Sequence, residues 1–398
     1  MKKLFLIMMI GTIVTACTGK SEKSDNPFFS DYKNEYKAPP FESIKNAHYL
    51  PAFEEGIKQH QAEIDSIASN PEAPTFANTI EAMEYSGELL SKVSAVFSNL
   101  QSAETNDEMD SIAKIVTPKL TEHSDNIYLN DKLFQRVRAI FDTKATLGLT
   151  PEQDRVLEKI YKRFIRSGAA LNEEQKAQLR KINKELSTLE LTFGQNILAE
   201  TNAFKKFVTN KEELKGLPEG IIEAAAEEAK KEGKEGQWLF TTSKTSFIPV
   251  LQYGENRELR KELLMAYVDR CNHDNQNDNK PVINKIMKLR VRKAQLLGFE
   301  SPAAFILDNT MAKTPDAVYS FLNKVWTPAV AKAKAEASEL QKLMDAEGKG
   351  EKLEPWDWWF YTEKLRKAKF DLDEEQLRPY FKLENVRKGV FDLTTKLF

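Results

Sequence analysis

Residues that hold metals and make disulfides are scarce in this chain. Its four histidines, His48, His60, His123 and His273, are scattered over 398 residues with no two within five positions of each other. A pair on one face of a helix, the usual start of a catalytic zinc site, is therefore excluded. Cysteine occurs only at positions 17 and 271, too few for a disulfide framework. Charge of one sign is also missing, because 58 basic residues nearly balance 60 acidic ones and leave a net charge of -2. Nothing in that balance favours nucleic acid or an anionic surface as a partner. There is no Gly-x-Ser-x-Gly elbow, glycine-rich phosphate loop or basic-aromatic patch, and no repeat of fixed period. Paired acids are too common here to argue for a glycosidase.

The apolar run Leu4 to Val14 follows Lys2 and Lys3 and is too short to span a bilayer. It ends in Val14-Thr15-Ala16-Cys17, which resembles a bacterial lipoprotein signal. Residues 1–17 are thus expected to be a signal peptide with Cys17 as the lipid acceptor, and the polar residues 18–25 a tether. An ordinary cleaved signal with a chance cysteine is the plainer alternative. The first expectation places the chain in the cell envelope, lipid-anchored or periplasmic, with the anchor as its membrane contact. With Cys17 lipidated, Cys271 has no thiol to pair with, and the core alone must hold the fold.

With 41% hydrophobic and 30% charged residues, the remainder is globular and long enough for two or more domains. Helical periodicity dominates. A helix is expected from Ala52 toward Ile67, after extended chain through Pro39 to Pro51. Met83, Leu90, Val93, Phe97 and Leu100 share one face of a 3.6-residue period. Thr105-x-x-Glu108 and Thr150-Pro151-Glu152-Gln153 read as helix starts. Leu157, Ile160 and Phe164 form the second start's stripe, which ends at Ser167-Gly168. Asn172 opens a long helix with Leu179, Ile182, Leu186, Leu189 and Phe193 inward, and the two helices are expected to form an antiparallel hairpin. Only Phe204 to Val208, Trp238 to Thr242 and Phe247 to Val250 suit strands. Helices return at Leu259 to Val268, Val282 to Leu297, Ser301 to Asn309, Asp316 to Trp326, Thr327 to Met344 and Asn385 to Phe398. Gly348-Lys349-Gly350 is a break. The fold class is mostly α with a small β element.

The densest aromatic stretch, Leu353 to Phe381, contains Trp356, Trp358, Trp359, Phe360 and Tyr361 beside Asp357. Its Pro355-Trp356-Asp357-x-x-Phe360-Tyr361 run, the charged Lys364 to Lys369 and the acidic Asp371-Leu372-Asp373 resemble the thimet oligopeptidase and peptidyl-dipeptidase (dipeptidyl carboxypeptidase) family of zinc metallopeptidases. That family has a tyrosine where this chain has Phe360, so one hydroxyl is lost. The resemblance extends, in family order, to Asn26-Pro27-Phe28, the run Pro74 to Ile80, Arg166 to Ala169, Tyr253-x-x-Asn256-Arg257, the run Leu289 to Gly298, and Met311-Ala312. It implies a clam-like, multi-helix lobe over residues 26–245 and the start of a catalytic lobe over 246–398. It also implies action on short peptides, through a zinc held by an HExxH helix and a later glutamate.

No HExxH occurs in this sequence. In the family that helix follows the region matching Leu353 to Phe398, so the chain is expected to be the front of such an enzyme with an incomplete catalytic domain. No catalytic and no metal-binding residue is assigned, and no zinc is expected to bind this chain. A missing C-terminal catalytic half is an expected partner beside short peptides. A non-catalytic envelope lipoprotein that binds peptides or a partner chain is the alternative.

Trp356, Asp357, Trp358 and Tyr361 are candidates to line a peptide channel, against a core junction in which Asp357 caps the following helix. Arg290 lies on a stripe with Ile283, Met287, Ala294 and Leu297, so it should sit in a buried ion pair or point into the channel. Cys271-Asn272-His273-Asp274 offers one thiol and one imidazole, more consistent with a polar loop than with a metal site. The Asp274-x-Gln276-x-Asp278 run lacks the glycine and final glutamate of a calcium loop.

Overall fold

The computed structural model describes residues 25–348, 350–371 and 374–398. Cys17, the signal segment and Leu372-Asp373 lie outside the described residues. The chain forms two compact units, which divide between Leu191 and Thr192.

The first unit is built from α1 (Asn46–Ala68), α2 (Glu88–Ala103), α3 (Asp107–Tyr128), α4 (Asp131–Asp142), α5 (Pro151–Arg166) and the front of α6 (Glu173–Ala203). Helix α1 starts earlier than expected and carries Pro51 inside it. So near the N-terminus the missing N–H forfeits only one backbone bond, and buried Tyr49, Ala52 and Phe53 outweigh it. The expected Met83 to Leu100 stripe is split, because Gly87 turns the backbone at φ +76° just before α2. Helix α3 is capped by Asn106, whose side chain accepts from Met109 N; Thr105 instead donates to Asp110 Oδ1 at 2.8 Å. Thr150 caps α5 and Asn172 caps α6, each in a reciprocal pair with a glutamine three residues on.

Two apolar cores result. Phe28, Tyr49, Phe53, Val93 and Phe97 form one; Ile64, Ile80, Leu133, Val137, Leu157 and Phe164 form the other. The expected α5–α6 hairpin is not how the stripes are used. Helix α5 turns its apolar face to α4, since Phe134 stacks on Phe164 and Tyr161, while α6 binds the end of α3 through Asn183–Asp125 and Arg180–Asn126.

The second unit opens with a two-stranded antiparallel sheet, β1 (Lys206–Val208) and β2 (Trp238–Phe240), with Phe207 opposite Leu239. Between the strands runs α7 (Glu219–Lys231), and after them come α8 (Lys244–Tyr253) and α9 (Arg257–Val268). Phe247 to Val250 is therefore helical and not a strand: a four-residue apolar run fits either period, and Phe247, Val250 and Leu251 face inward at helical spacing. These join Val208, Phe240, Leu259 and Leu263 in one core. That core straddles the sequence boundary expected at 245/246, which is why the strands group with the second unit.

The unit continues with α10 (Lys280–Leu296), α11 (Pro302–Asp308), α12 (Pro315–Ala346), α13 (Trp358–Phe370) and α14 (Leu383–Leu397). Helix α12 is continuous through Pro328, where two helices were expected. Its last turns supply Leu340 and Met344 to a small core with Phe360 and Tyr361. Among the described residues no helix is long and apolar enough to cross a membrane.

Candidate functional site

The aromatic stretch is organised by a buried charge cluster. Asn256 caps α9 by accepting from Leu259 N, which sets Arg257 and Arg260 in its first turns, three apart and on one face. Both reach Asp357. Arg257 donates from Nε to Asp357 Oδ1 at 3.0 Å and from Nη2 to Oδ2 at 2.8 Å, and Arg260 donates from Nη2 to Oδ1 at 2.8 Å. Arg260 also donates to the carbonyls of Gly254 (2.7 Å) and Trp356 (3.1 Å), and its guanidinium lies 4.2 Å from the Phe360 ring centroid. The Glu354 amide completes the carboxylate at 3.1 Å. Asp357 is 0% exposed and Arg260 1%, so their bond is made away from water, while Arg257 reaches in from a side chain that is 22% exposed.

Burial pushes the Asp357 carboxyl upward, but the two guanidinium bonds and the Glu354 amide outweigh it and hold the group below the usual carboxylate range. The same bond to Asp357 raises Arg257 further. Asp357 is thus the hub of a core junction and does not cap α13, because its lone pairs are taken by the arginines and by its own turn. Next to it, buried Tyr361 donates to Glu347 Oε2 at 3.1 Å, and Lys364 bonds the same carboxylate. Burial, then Glu347, raises the Tyr361 hydroxyl, so it stays protonated at any physiological pH. An open groove of about 340 Å³ borders this junction, with Phe360, Lys364 and Lys367 on one side and Gly216, Tyr253 and Glu255 on the other.

Of the channel candidates, Asp357 and Tyr361 are buried in this junction, while Trp356 and Trp358 are half-buried at its edge. The indole N–H of Trp356 is buried without a hydrogen-bond partner. Arg290 is exposed on α10, on the face that also shows Ile283 and Met287; Ile286 and Ala294 are the buried residues of this helix. The inward side of α10 is offset from the expected stripe, which leaves Arg290 exposed. Arg257 and Arg260 were the missed residues. Two arginines three apart behind a capping asparagine were a usable signal, since a buried acid in the aromatic run needs cationic partners.

The first unit holds a second constellation that spacing could not reveal. His60 on α1 and His123 on α3, far apart in sequence, meet with Nε2 of His123 2.9 Å from Nδ1 of His60. Nε2 of His60 lies 3.1 Å from Ser86 Oγ, which itself donates to the Met83 carbonyl at 2.7 Å. A serine, an imidazole and a third orienting group in a row match the outline of a nucleophile chain. The protons run the wrong way. Ser86 spends its hydrogen on Met83, so His60 must donate from Nε2, accept at Nδ1 from His123, and has no lone pair left for a base. Nδ1 of His123 is then a buried acceptor with no partner. Burial first, then the neighbouring His60, drives His123 down to about 4; burial lowers His60 too, against the pull of Glu63. Both rings are neutral at pH 7. Gly87 is required here, because a Cβ at that position would come within 2.8 Å of the His60 ring.

The other histidines are also committed. His48 Nδ1 accepts from Lys45 N at 3.1 Å, as part of the start of α1, and His273 Nδ1 lies 3.3 Å from Glu200. The Cys271 loop is folded on itself: Asn279 N donates to the Cys271 carbonyl, and Asp278 accepts from the amides of Asp274 and Lys280. Among the described residues no three His, Cys, Asp or Glu side chains converge to hold a metal. These donors do not fit the zinc that the resemblance implies.

Residues 250–398, which include the Arg257–Arg260–Asp357 hub and its aromatic stretch, match peptidase family M3. Dipeptidyl carboxypeptidase of Escherichia coli (strain K12) is 40% identical over 374 residues, which are 94% of this chain and 55% of that protein. The chain belongs to the M3 peptidases. Oligopeptidase A of Haemophilus influenzae is 31% identical over 90% of this chain and 53% of its own length. The chloroplastic/mitochondrial organellar oligopeptidase A of Arabidopsis thaliana is 30% identical over 94% and 48%. This M3 chain spans about half the length of the relatives it matches.

Proposed function

We propose that this chain is the substrate-framing, helical part of a zinc peptidase that cleaves short peptides, of the oligopeptidase or dipeptidyl carboxypeptidase kind, and that by itself it hydrolyses none. One observation carries the second half: all four imidazoles in the sequence are engaged, in a helix start, in a mutual pair and against Glu200, so none is arranged as a zinc ligand. The first half is supported by the similarity to peptidases along nearly the whole chain. Zinc would be held by residues other than those described here.

Purified residues 26–398 should show no chelator-sensitive cleavage of a fluorogenic nonapeptide with added zinc. Turnover abolished by a chelator overturns the reading. Export is proposed on the signal pattern: cells given labelled palmitate should incorporate it into the chain, and Cys17→Ser should abolish this. Equal labelling of the variant would refute lipidation there. The alternative, an envelope lipoprotein that binds peptides without cleaving them, has in its favour the open groove between Phe360 and Tyr253. Saturable peptide binding by the isolated chain, lost in Lys364→Glu, would favour it.

A further inference from the structure

The near balance of charge over the whole chain conceals a local departure. Helix α10 carries Lys280, Lys285, Lys288, Arg290, Arg292 and Lys293 within 17 residues and has no aspartate or glutamate. Lys280 is tied to Asp274 at 2.8 Å and Asp278 at 3.1 Å in the loop before it. The other five cations lie along the body of the helix, and Lys285, Lys288, Arg290 and Arg292 are exposed.

Apolar groups run between them. Ile283, Met287 and Val291, four residues apart, form a stripe about 12 Å long, and they are 46%, 51% and 38% exposed. At helical spacing Arg290 flanks this stripe on one side, and Lys288, Arg292 and Lys285 follow on the other. Ile286 and Ala294 are buried and fix the helix to its unit. The stripe and its cations are therefore presented as one preformed face.

The make-up of that face separates the anionic partners it could attract. A nucleic acid backbone would take the cations but gains nothing from exposed Ile, Met and Val, and α10 has no aromatic ring on which a base could stack. A groove that grips a helix needs more of its circumference than one side. A bilayer needs one side only, because apolar side chains enter the headgroup boundary while lysine and arginine stems reach back to the phosphates.

We propose that α10 is an interfacial membrane contact, with Ile283, Met287 and Val291 set into an anionic leaflet and Lys285, Lys288, Arg290 and Arg292 against its headgroups. The contact belongs to the folded second unit and is separate from the lipid expected at Cys17. It also goes beyond the peptidase reading. Its effect is orientation, since it turns this side of the unit toward the leaflet.

The test is flotation of purified residues 26–398, which carry no lipid, with vesicles rich in phosphatidylglycerol and with vesicles of phosphatidylcholine alone. Binding is expected to the first, about tenfold or more weaker to the second, and to fall as salt is raised. Lys285→Glu with Lys288→Glu should weaken it at least about twenty-fivefold, at about fivefold for each charge brought to the leaflet. Met287→Asp should weaken it about tenfold. These side chains are exposed, so the circular dichroism melt should not move. Lys159→Glu with Lys181→Glu, an equal charge change on exposed residues of the first unit, should lose far less. Absence of binding to the phosphatidylglycerol vesicles overturns the proposal. So does an equal loss in the first-unit variant, which would make the attraction one of net charge. Binding that is unchanged by Met287→Asp and matched by polyglutamate would assign the face to an acidic protein and overturn it as well. None of these outcomes depends on peptide turnover or on labelling at Cys17.

Discussion

Each unit buries a polar constellation, and the two are built on opposite electrostatic terms. In the first, His60 and His123 are packed as neutral rings, with one nitrogen of His123 left unpartnered. In the second, Asp357 is packed as a full charge, enclosed by two guanidiniums and an amide. A neutral buried imidazole resists protonation and is therefore sensitive to mild acid; a carboxylate held by arginines is not disturbed until strong acid. The units differ in the same way in their apolar side chains. The first buries its stripes in two cores, whereas most large apolar groups left exposed among the described residues lie in the second, several of them on α10, α12 and α14. The two units thus differ in how much of their apolar side-chain surface is covered.

The comparison can be broken most severely at Asp357. Asp357→Ala leaves Arg260 buried without its counter-charge and should cost about 3–5 kcal/mol of second-unit stability. All five tryptophans, at 238, 326, 356, 358 and 359, lie in that unit. Urea unfolding followed by tryptophan fluorescence should shift to a lower midpoint, while helix loss from the first unit by circular dichroism stays in place. A single common shift would show that the units do not respond separately.

Acid should sharpen the difference. His123 is lowered from 6.5 to about 4, so its native form binds fewer protons than the unfolded chain between those values. Stability from this group is complete above pH 6.5 and is lost as pH falls toward 4, by about 3 kcal/mol at most. Hydrogen exchange of α1 and α3 amides at pH 7 and pH 4.5 should show faster opening in acid, and His123→Leu should flatten the profile. An unchanged exchange rate would mean that the pair is not neutral. The smallest effect expected is at a helix start: Thr150→Ala removes the cap of α5 and should cost about 1 kcal/mol, measured by thermal melting. A change below a few tenths would show that Gln153 and Pro151 suffice.

Much of the helical order was legible because caps and stripes are local. Thr150-Pro151, Asn172 and the Leu179 to Leu186 repeat are read from spacing alone, and two of the three runs suited to strands do form the small sheet, although which strands pair is not readable from them. Errors came where local rules compete. Pro51, Pro249 and Pro328 lie inside helices whose packing outweighs one lost hydrogen bond, and the Phe247 to Val250 run satisfies both periods. The site was half legible. Asp357 and Tyr361 were marked by their aromatic setting, but Arg257 and Arg260 lie about a hundred positions away, and His60 and His123 more than sixty apart. Such pairings are made by tertiary packing, and on α10 two neighbouring stripes fit the spacing, of which the inward one leaves Arg290 exposed.

The proposal that residues 26–398 do not hold the zinc themselves is tested most directly by the zinc content of this purified stretch after dialysis against zinc at pH 7.5. No stoichiometric zinc is expected. One tightly held ion per chain, with histidine nitrogens in its X-ray absorption spectrum, would contradict it.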